Sequence, residues 1–362
     1  MIPVSQPFLP PKVDYDLLVS KLWETKWLTN NGVFVRQLEK ELEAVLNVSS
    51  LHFVNNGTTA LQLAIKSLGI QKEIITTPFS FVATTTSIIW ENCKPKFVDI
   101  DPETLCIDPT KIEGAITEET EAILATHVYG IPCDVEKIEE IAIKYGLKVI
   151  YDAAHAFGVQ YKRRSLLSYG NTSTLSFHAT KLFHTVEGGA VINNGEEELS
   201  QSIKLLRSFG FEGNDYITAG MNGKNSEFHA AMGLCNLKYI EANILERKRL
   251  SELYDVLLRN EFQRPRIPQE TDYNYSYYPV IFETESELLR TQNKLKSNEI
   301  ETRRYFYPSL NNLPYLLNYD SCPISEDISR RILCLPLFNG LSIESVERIS
   351  GIILENERIK VI

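Results

Sequence analysis

From residue 51 to residue 152 the chain alternates short apolar runs with stretches of helical period, and this alternation leaves few architectures open. Leu51–Val54 reads as a strand. So does Glu73-Ile-Ile-Thr-Thr, stopped by Pro78, and so do Lys96–Ile100, Ala122–Val128 and Leu147–Tyr151. Between the last two, residues 134–145 place Val135, Ile138, Ile141 and Ala142 on one helical face, and Gly146 supplies the stop. Strand, helix, strand with these lengths makes a βαβ unit, which predicts an α/β fold around a mostly parallel sheet. Ligands of such sheets bind outside the carboxyl ends of the strands. Asp152 lies at one such end, and Pro78-Phe79-Ser80-Phe81 lies at another.

The flanks read differently. The start is irregular and marked by Pro3, Pro7, Pro10 and Pro11, followed by a helical pattern through Leu17, Leu18, Leu22 and Trp23. A second helix is expected at Val33–Leu46. Beyond about residue 240 the regular alternation ends. A long helix is expected from about Ser226 to Val256, an alternating strand from Asn274 to Phe282, and a last helix through Ile343, Val346, Ile349, Ile352 and Ile353. A chain of 362 residues accommodates this as a large domain, residues 1–245, and a smaller C-terminal α+β domain, residues 246–362.

A net charge of −10 argues against nucleic acid as a partner. It leaves an anionic ligand open, because local amides and hydroxyls hold a phosphate. The six cysteines show no C-x-x-C spacing, and no histidine pair has the i, i+4 spacing of a helical metal site. No metal is expected. No signal-peptide pattern or membrane-length apolar run is present, so the expected location is cytoplasmic, with no membrane partner.

The chemistry concentrates in a few positions. Lys181 closes the run Ser176-Phe-His-Ala-Thr-Lys and stands twenty-nine residues beyond Asp152. A carboxylate at a buried strand end and a lysine in a polar turn suit pyridoxal phosphate. The lysine serves as Schiff-base partner of its aldehyde, and the aspartate keeps the pyridine nitrogen protonated. Either residue alone reads more readily as a surface lysine or a helix cap. Together with a phosphate loop they favour the cofactor. Asn56-Gly57-Thr58-Thr59 supplies that loop, where a strand gives way to a helix whose first amides are free. Thr58 alone reads equally as an N-cap. Ser176 offers a further hydroxyl to the phosphate. Phe79 reads as core, and Phe81 divides evenly between core and a stacking face for a flat ring. His155 either meets the ring oxygen of the cofactor or is a hydrogen-bonded structural histidine.

Taken in order, N-G-T-x-A-L at 56–61, Thr77-Pro-Phe-Ser-Phe81, Asp152-Ala-Ala-His155, S-F-H-x-x-K at 176–181, Glu187-Gly-Gly189 and Gly220-Met-Asn-Gly-Lys-Asn-Ser-Glu227 resemble the DegT-type nucleotide-sugar aminotransferases. The resemblance runs from about residue 28 to 245. It implies the aspartate-aminotransferase-like architecture called fold type I, in a homodimer with active sites shared at the subunit interface. It also implies that Gly57, Thr58 and Ser176 bind the phosphate, that Phe81 stacks on the ring, and that Asp152 pairs with its nitrogen. Lys181 becomes the Schiff-base lysine, and Asn222 reaches the phosphate of the neighbouring subunit's cofactor. His155 stands where many members have glutamine.

A branch that removes a hydroxyl carries histidine in place of the lysine, so Lys181 favours transamination. S-F-H-x-x-K followed by T-x-E-G-G resembles the members that aminate C4 of a 4-keto-6-deoxy sugar. The resemblance therefore implies transfer from glutamate to C4 of dTDP-4-keto-6-deoxyglucose, giving dTDP-4-amino-4,6-dideoxyglucose for surface polysaccharide such as O-antigen. Amination at C3, a pyridoxal-phosphate-dependent dehydratase, and a cofactor-binding regulator are the competing readings. Arg303, Arg304 and Tyr307 are open to contact with the sugar diphosphate or to plain solvation.

Overall fold

A computed structural model describes residues 1–195, 197–259, 261–316 and 320–358. Its centre is a seven-stranded sheet: β1 (Leu51–Val54), β2 (Glu73–Thr76), β3 (Lys94–Phe97), β4 (Thr120–Thr126), β5 (Lys148–Asp152), β6 (Thr172–Ser176) and β7 (Gly189–Asn193). In space the order is β1-β7-β6-β5-β4-β2-β3. All neighbours run parallel except β7, which is antiparallel to β1 and to β6. The chain between β6 and β7 carries no helix, and parallel return normally needs a helical crossover. That connection holds Lys181. Because β7 is reversed against both neighbours, β1 points the same way as β6, and the carboxyl ends of β1, β2, β4, β5 and β6 share one edge.

The sheet is buried on both faces, and the period of two along each strand assigns the side chains. Ile74, Ala122, Leu124, Ile150 and Val191 pack with the helix Gly57–Ser67 on one side. Their chain neighbours Ile75, Ile123, Ala125, Val149, Tyr151, Ala190 and Ile192 join a larger apolar cluster on the other, with the helices Val33–Leu46 and Val135–Tyr145. A further cluster gathers Leu250, Tyr254, Leu288, Leu295, Val346, Ile349 and Ile353 around the antiparallel pair β8 (Tyr278–Ile281) and β9 (Ile332–Leu335). No helix among the described residues is long and apolar enough to cross a membrane.

Three expected elements differ, the first being the strand expected at Lys96–Ile100, which runs over Lys94–Phe97. The long helix near 226–256 is two helices, Glu227–Leu237 and Ile240–Leu258. Tyr239 leaves helical geometry at φ −111°, ψ 1°. Its hydroxyl meets Asp14 at 3.3 Å and its ring packs on Phe8 at 5.4 Å, so docking of the N-terminal segment claims the side chain at the break. The strand expected at 274–282 is extended only over Tyr278–Ile281. Asn274 instead donates its amide to the carbonyls of His155 and Phe157 at 2.8 and 2.9 Å, and Tyr275 takes a φ of 54°.

Candidate active site

One cleft opens at the shared edge of strand ends. Among its lining residues are Gly57, Thr58, Phe81, Asp152, His155, Ser176 and Lys181. Seven of the eight positions picked out in the sequence thus come together. The eighth, Asn222, is exposed and does not line the cleft of its own chain. Its carbonyl accepts from the Asn55 side chain at 3.2 Å.

Asp152 ends β5 and is buried. Its Oδ1 accepts from the Ala154 amide at 3.1 Å and its Oδ2 from the Thr84 hydroxyl at 2.7 Å. Burial raises its pKa, and the two donors and the Lys181 charge oppose that rise. The two donors fix the carboxylate in direction and offset part of the cost of its desolvation.

Lys181 follows β6 in the loop that leads to β7, anchored by its amide on the His178 carbonyl at 2.9 Å. Its Nζ reaches the Tyr277 hydroxyl at 3.4 Å. Burial lowers its pKa. Tyr305 and Asp152 work against that shift, and Arg303 adds to it. An amine with a lowered pKa is more often neutral, the form in which it attacks a carbonyl or takes a proton.

The helix Gly57–Ser67 begins at the cleft floor. Asn56 caps it, accepting from the Thr59 amide at 2.8 Å. The capping alternative for Thr58 is thereby answered: Thr58 is exposed and Asn56 does that work. The first-turn amides of Gly57 and Thr58 have no intrahelical acceptor, and both residues line the cleft together with Ser176. The fit is close. A β-carbon at Gly189 would lie 2.6 Å from the Asn56 carbonyl, so β7 touches the loop only because glycine stands there.

Phe79 is core, as expected, whereas Phe81, left evenly divided, faces the cleft. Phe79 is fully buried, edge-on to Tyr129 and Phe306. Phe81 is 48% exposed and lines the cleft at the start of the helix Val82–Trp90. His155 is buried against Tyr277, with ring centroids 4.7 Å apart, and parallel to Phe306. Its Nδ1 accepts from the Tyr129 amide at 3.1 Å. Burial and the nearby Lys181 charge push its pKa well below the usual range. That shift favours the neutral ring, and with Nδ1 accepting, the neutral tautomer carries its proton on Nε2.

The sequence reading missed three contributors: Thr84, Tyr277 and Tyr305. Thr84 is one of three successive threonines with nothing to mark it. The tyrosines lie about a hundred residues beyond Lys181 and meet it only through the fold. Arg303, left open between ligand and solvent, does line the cleft, with its guanidinium 4.3 Å from the Tyr305 ring centroid. His178 and Glu187 line the cleft too, 3.6 Å apart.

The profile of the DegT/DnrJ/EryC1/StrS aminotransferase family matches residues 13–354. The chain is 41% identical to a dTDP-4-amino-4,6-dideoxy-D-glucose transaminase of Escherichia coli, over 98% of each chain. Among solved structures it is similar to DesI in the presence of its TDP-sugar product, at TM-score 0.94 and 28% identity, over 99% of this chain and 94% of that one. It is also similar to NtdA from Bacillus subtilis with bound cofactor PMP, at TM-score 0.89 and 27% identity, over 96% and 82%. The protein belongs to the DegT/DnrJ/EryC1/StrS aminotransferase family. It is a transaminase of fold type I, in a family that works with pyridoxal phosphate. The cleft suits that cofactor, with first-turn amides and hydroxyls for a phosphate, a buried carboxyl group for a ring nitrogen and an enclosed amine for an aldehyde.

Proposed function

We propose that this chain transfers an amino group from glutamate to C4 of dTDP-4-keto-6-deoxyglucose, a nucleotide sugar destined for surface polysaccharide. The observation that carries the aminotransferase chemistry is the enclosed Lys181 amine in the same cleft as the buried Asp152 carboxylate. The likeness to the E. coli transaminase over nearly the whole chain supports the choice of sugar.

In this reading Gly57, Thr58 and Ser176 hold the phosphate of pyridoxal phosphate. Phe81 would cover one face of the ring, His155 would offer its Nε2 proton to the ring oxygen, and Asp152 would meet the ring nitrogen. The bound cofactor supplies an electron sink for the carbon that loses its proton. Lys181, as an amine, would take that proton and return one to the sugar carbon. Arg303 takes the donor's carboxylate: it lines the cleft and has no acidic partner among the described residues.

The working form is a homodimer with shared sites. Trp23, Trp27, Phe211 and Tyr216 are exposed, which is costly apolar surface for a lone chain. Asn222 follows the exposed hairpin of Phe211–Glu212 and Asp215–Tyr216, and would complete the partner's phosphate site.

His178 and Glu187 face the cleft beside Lys181 and are the side chains best placed to set the position aminated. Moving the ketone from C4 to C3 shifts the reacting carbon by about 1.5 Å, a misplacement that costs roughly a hundredfold in rate. Offering the enzyme glutamate with the 4-keto and then the 3-keto sugar nucleotide, with product analysis by NMR, tests this. A 4-amino product is expected. A 3-amino product, or equal rates on both, would sink the C4 assignment. Turnover without any amino donor would favour the dehydratase instead.

A further inference from the structure

Beside Asp152 runs a line of three buried hydroxyls, of which only Thr84 has been used above; Ser80 and Thr126 line the same cleft as the carboxylate. Thr126, at the end of β4, donates to Ser80 Oγ at 3.0 Å. Ser80 and Thr84 are 2.7 Å apart, and Thr84 donates to Asp152 Oδ2 at 2.7 Å. All three side chains are almost fully buried. The carboxylate can only accept, so Thr84 must spend its proton there. Ser80 then donates to Thr84 and itself accepts from Thr126. The three protons point one way.

Helical threonines have an easier option. Thr86, in the same helix, donates back to the Val82 carbonyl at 3.0 Å. Thr84 forgoes that bond and turns towards Asp152.

We propose that Thr126, Ser80 and Thr84 form a one-way hydrogen-bond relay that holds the cofactor's ring proton on nitrogen rather than on the Asp152 carboxylate, which makes Thr84 a positioning residue for amino transfer. The inference rests on the reading that Asp152 meets the ring nitrogen. In a dry site the ring nitrogen and the carboxylate compete for one proton, and burial favours the neutral pair. Fixed donors on both carboxylate oxygens tip the balance: Ala154 N–H on Oδ1 and Thr84 on Oδ2. Each hydroxyl that accepts a bond donates a stronger one, so the chain acts through its last member. Lys181 faces the same carboxylate, and in its protonated form it too opposes the rise that burial causes there. His155, beside it, is shifted towards its neutral form.

The test uses enzyme loaded with pyridoxal phosphate carrying 15N in the ring. Wild type should show a protonated ring nitrogen. Thr84→Val keeps the shape and removes the donor. Its 15N signal should move towards neutral pyridine, and the half-reaction with glutamate should slow by about ten- to hundredfold, with cofactor content and melting temperature held. Thr84→Ser should restore both readouts. Ser80→Ala, one link back, should move the signal the same way by less, and it tests the relay even if the valine variant does not fold. An unmoved 15N signal in Thr84→Val, or in Ser80→Ala, overturns the relay. So does a serine variant that behaves like valine. Asp152→Asn run in parallel separates the two readings. If the wild-type nitrogen is unprotonated, or unchanged by Asp152→Asn, the pairing of Asp152 with the ring falls and the relay falls with it. If Asp152→Asn shifts the signal and the Thr84 and Ser80 variants do not, the relay alone is wrong.

Discussion

Gly57 and Ser176 stand so close that a β-carbon on residue 57 would come within 2.9 Å of the serine β-carbon. The contact joins the first residue of a helix to the last residue of β6, and those are the two elements whose donors flank the proposed phosphate site. The glycine is needed for approach.

Gly57→Ala should therefore spread the cradle. Overpacking a tight contact costs about 1–3 kcal/mol, part of it relieved by shifting the helix start away from β6. Either way the phosphate donors lose register. Cofactor affinity should fall by about ten- to hundredfold, read by equilibrium dialysis or by absorbance titration of the apoenzyme. Unchanged affinity would mean that the phosphate sits elsewhere.

Asp152→Asn should lose far more activity than cofactor. The asparagine can still hydrogen-bond, but it cannot hold a cationic ring nitrogen, so the barrier to carbanion formation rises. A loss of about a hundredfold or more in kcat is expected, with cofactor still bound. Single-turnover proton abstraction at the wild-type rate would assign that nitrogen to another group.

His52 and His127 give the fold a defined acid sensitivity. Both are buried, and burial pushes the pKa of each down to about 3. Between that value and the unfolded value near 6.5, the unfolded chain binds protons that the native chain refuses. Stability therefore rises with pH across the window and falls on acidification. Each histidine contributes a slope of up to about 1.4 kcal/mol per pH unit. His52 bonds Ser200 at 2.9 Å, a contact that glutamine can keep. His52→Gln should flatten the slope of urea-unfolding free energy between pH 6 and 5 by close to one proton. An unaltered slope would mean that His52 titrates normally in the native protein.

The parts of the site visible in the sequence share one property: they sit where a strand stops. Asp152, Ser176 and the 56–58 loop are legible because an apolar run ends and a small or polar residue follows, which the period of two exposes directly. Tyr277 and Tyr305 were invisible because their meeting with Lys181 depends on how the C-terminal segment folds back. Tertiary contact also decided the misread helix, where Tyr239 turns aside to Phe8 and Asp14. Glu227 shows the converse. It closes a motif that points to the site, yet its carboxylate accepts from the Phe34 and Val35 amides at 2.7 and 3.3 Å, capping the helix Val33–Leu46 across the chain. A β-carbon on Gly32 would meet that carboxylate at 2.5 Å. Motif membership thus marked a structural tie, which only coordinates separate from chemistry.

Asn222 should act across a subunit interface. It is exposed, lies outside the cleft of its own chain, and is held by the Asn55 side chain on its carbonyl, which leaves its amide free to reach outward. Two inactive variants test this. Lys181→Ala lacks the amine but keeps the Asn222 side. Asn222→Asp places a negative charge against the phosphate and should not hold cofactor. If the contact is made in trans, a mixed dimer has one site with both defects and one with neither. Mixing the variants under conditions of verified subunit exchange should then restore up to one working site in each heterodimer, or about a quarter of wild-type activity at equal proportions and random pairing. Contact within one chain leaves every site defective and predicts no recovery at any ratio. Absence of recovery would return Asn222 to a surface role and remove the main argument for shared sites.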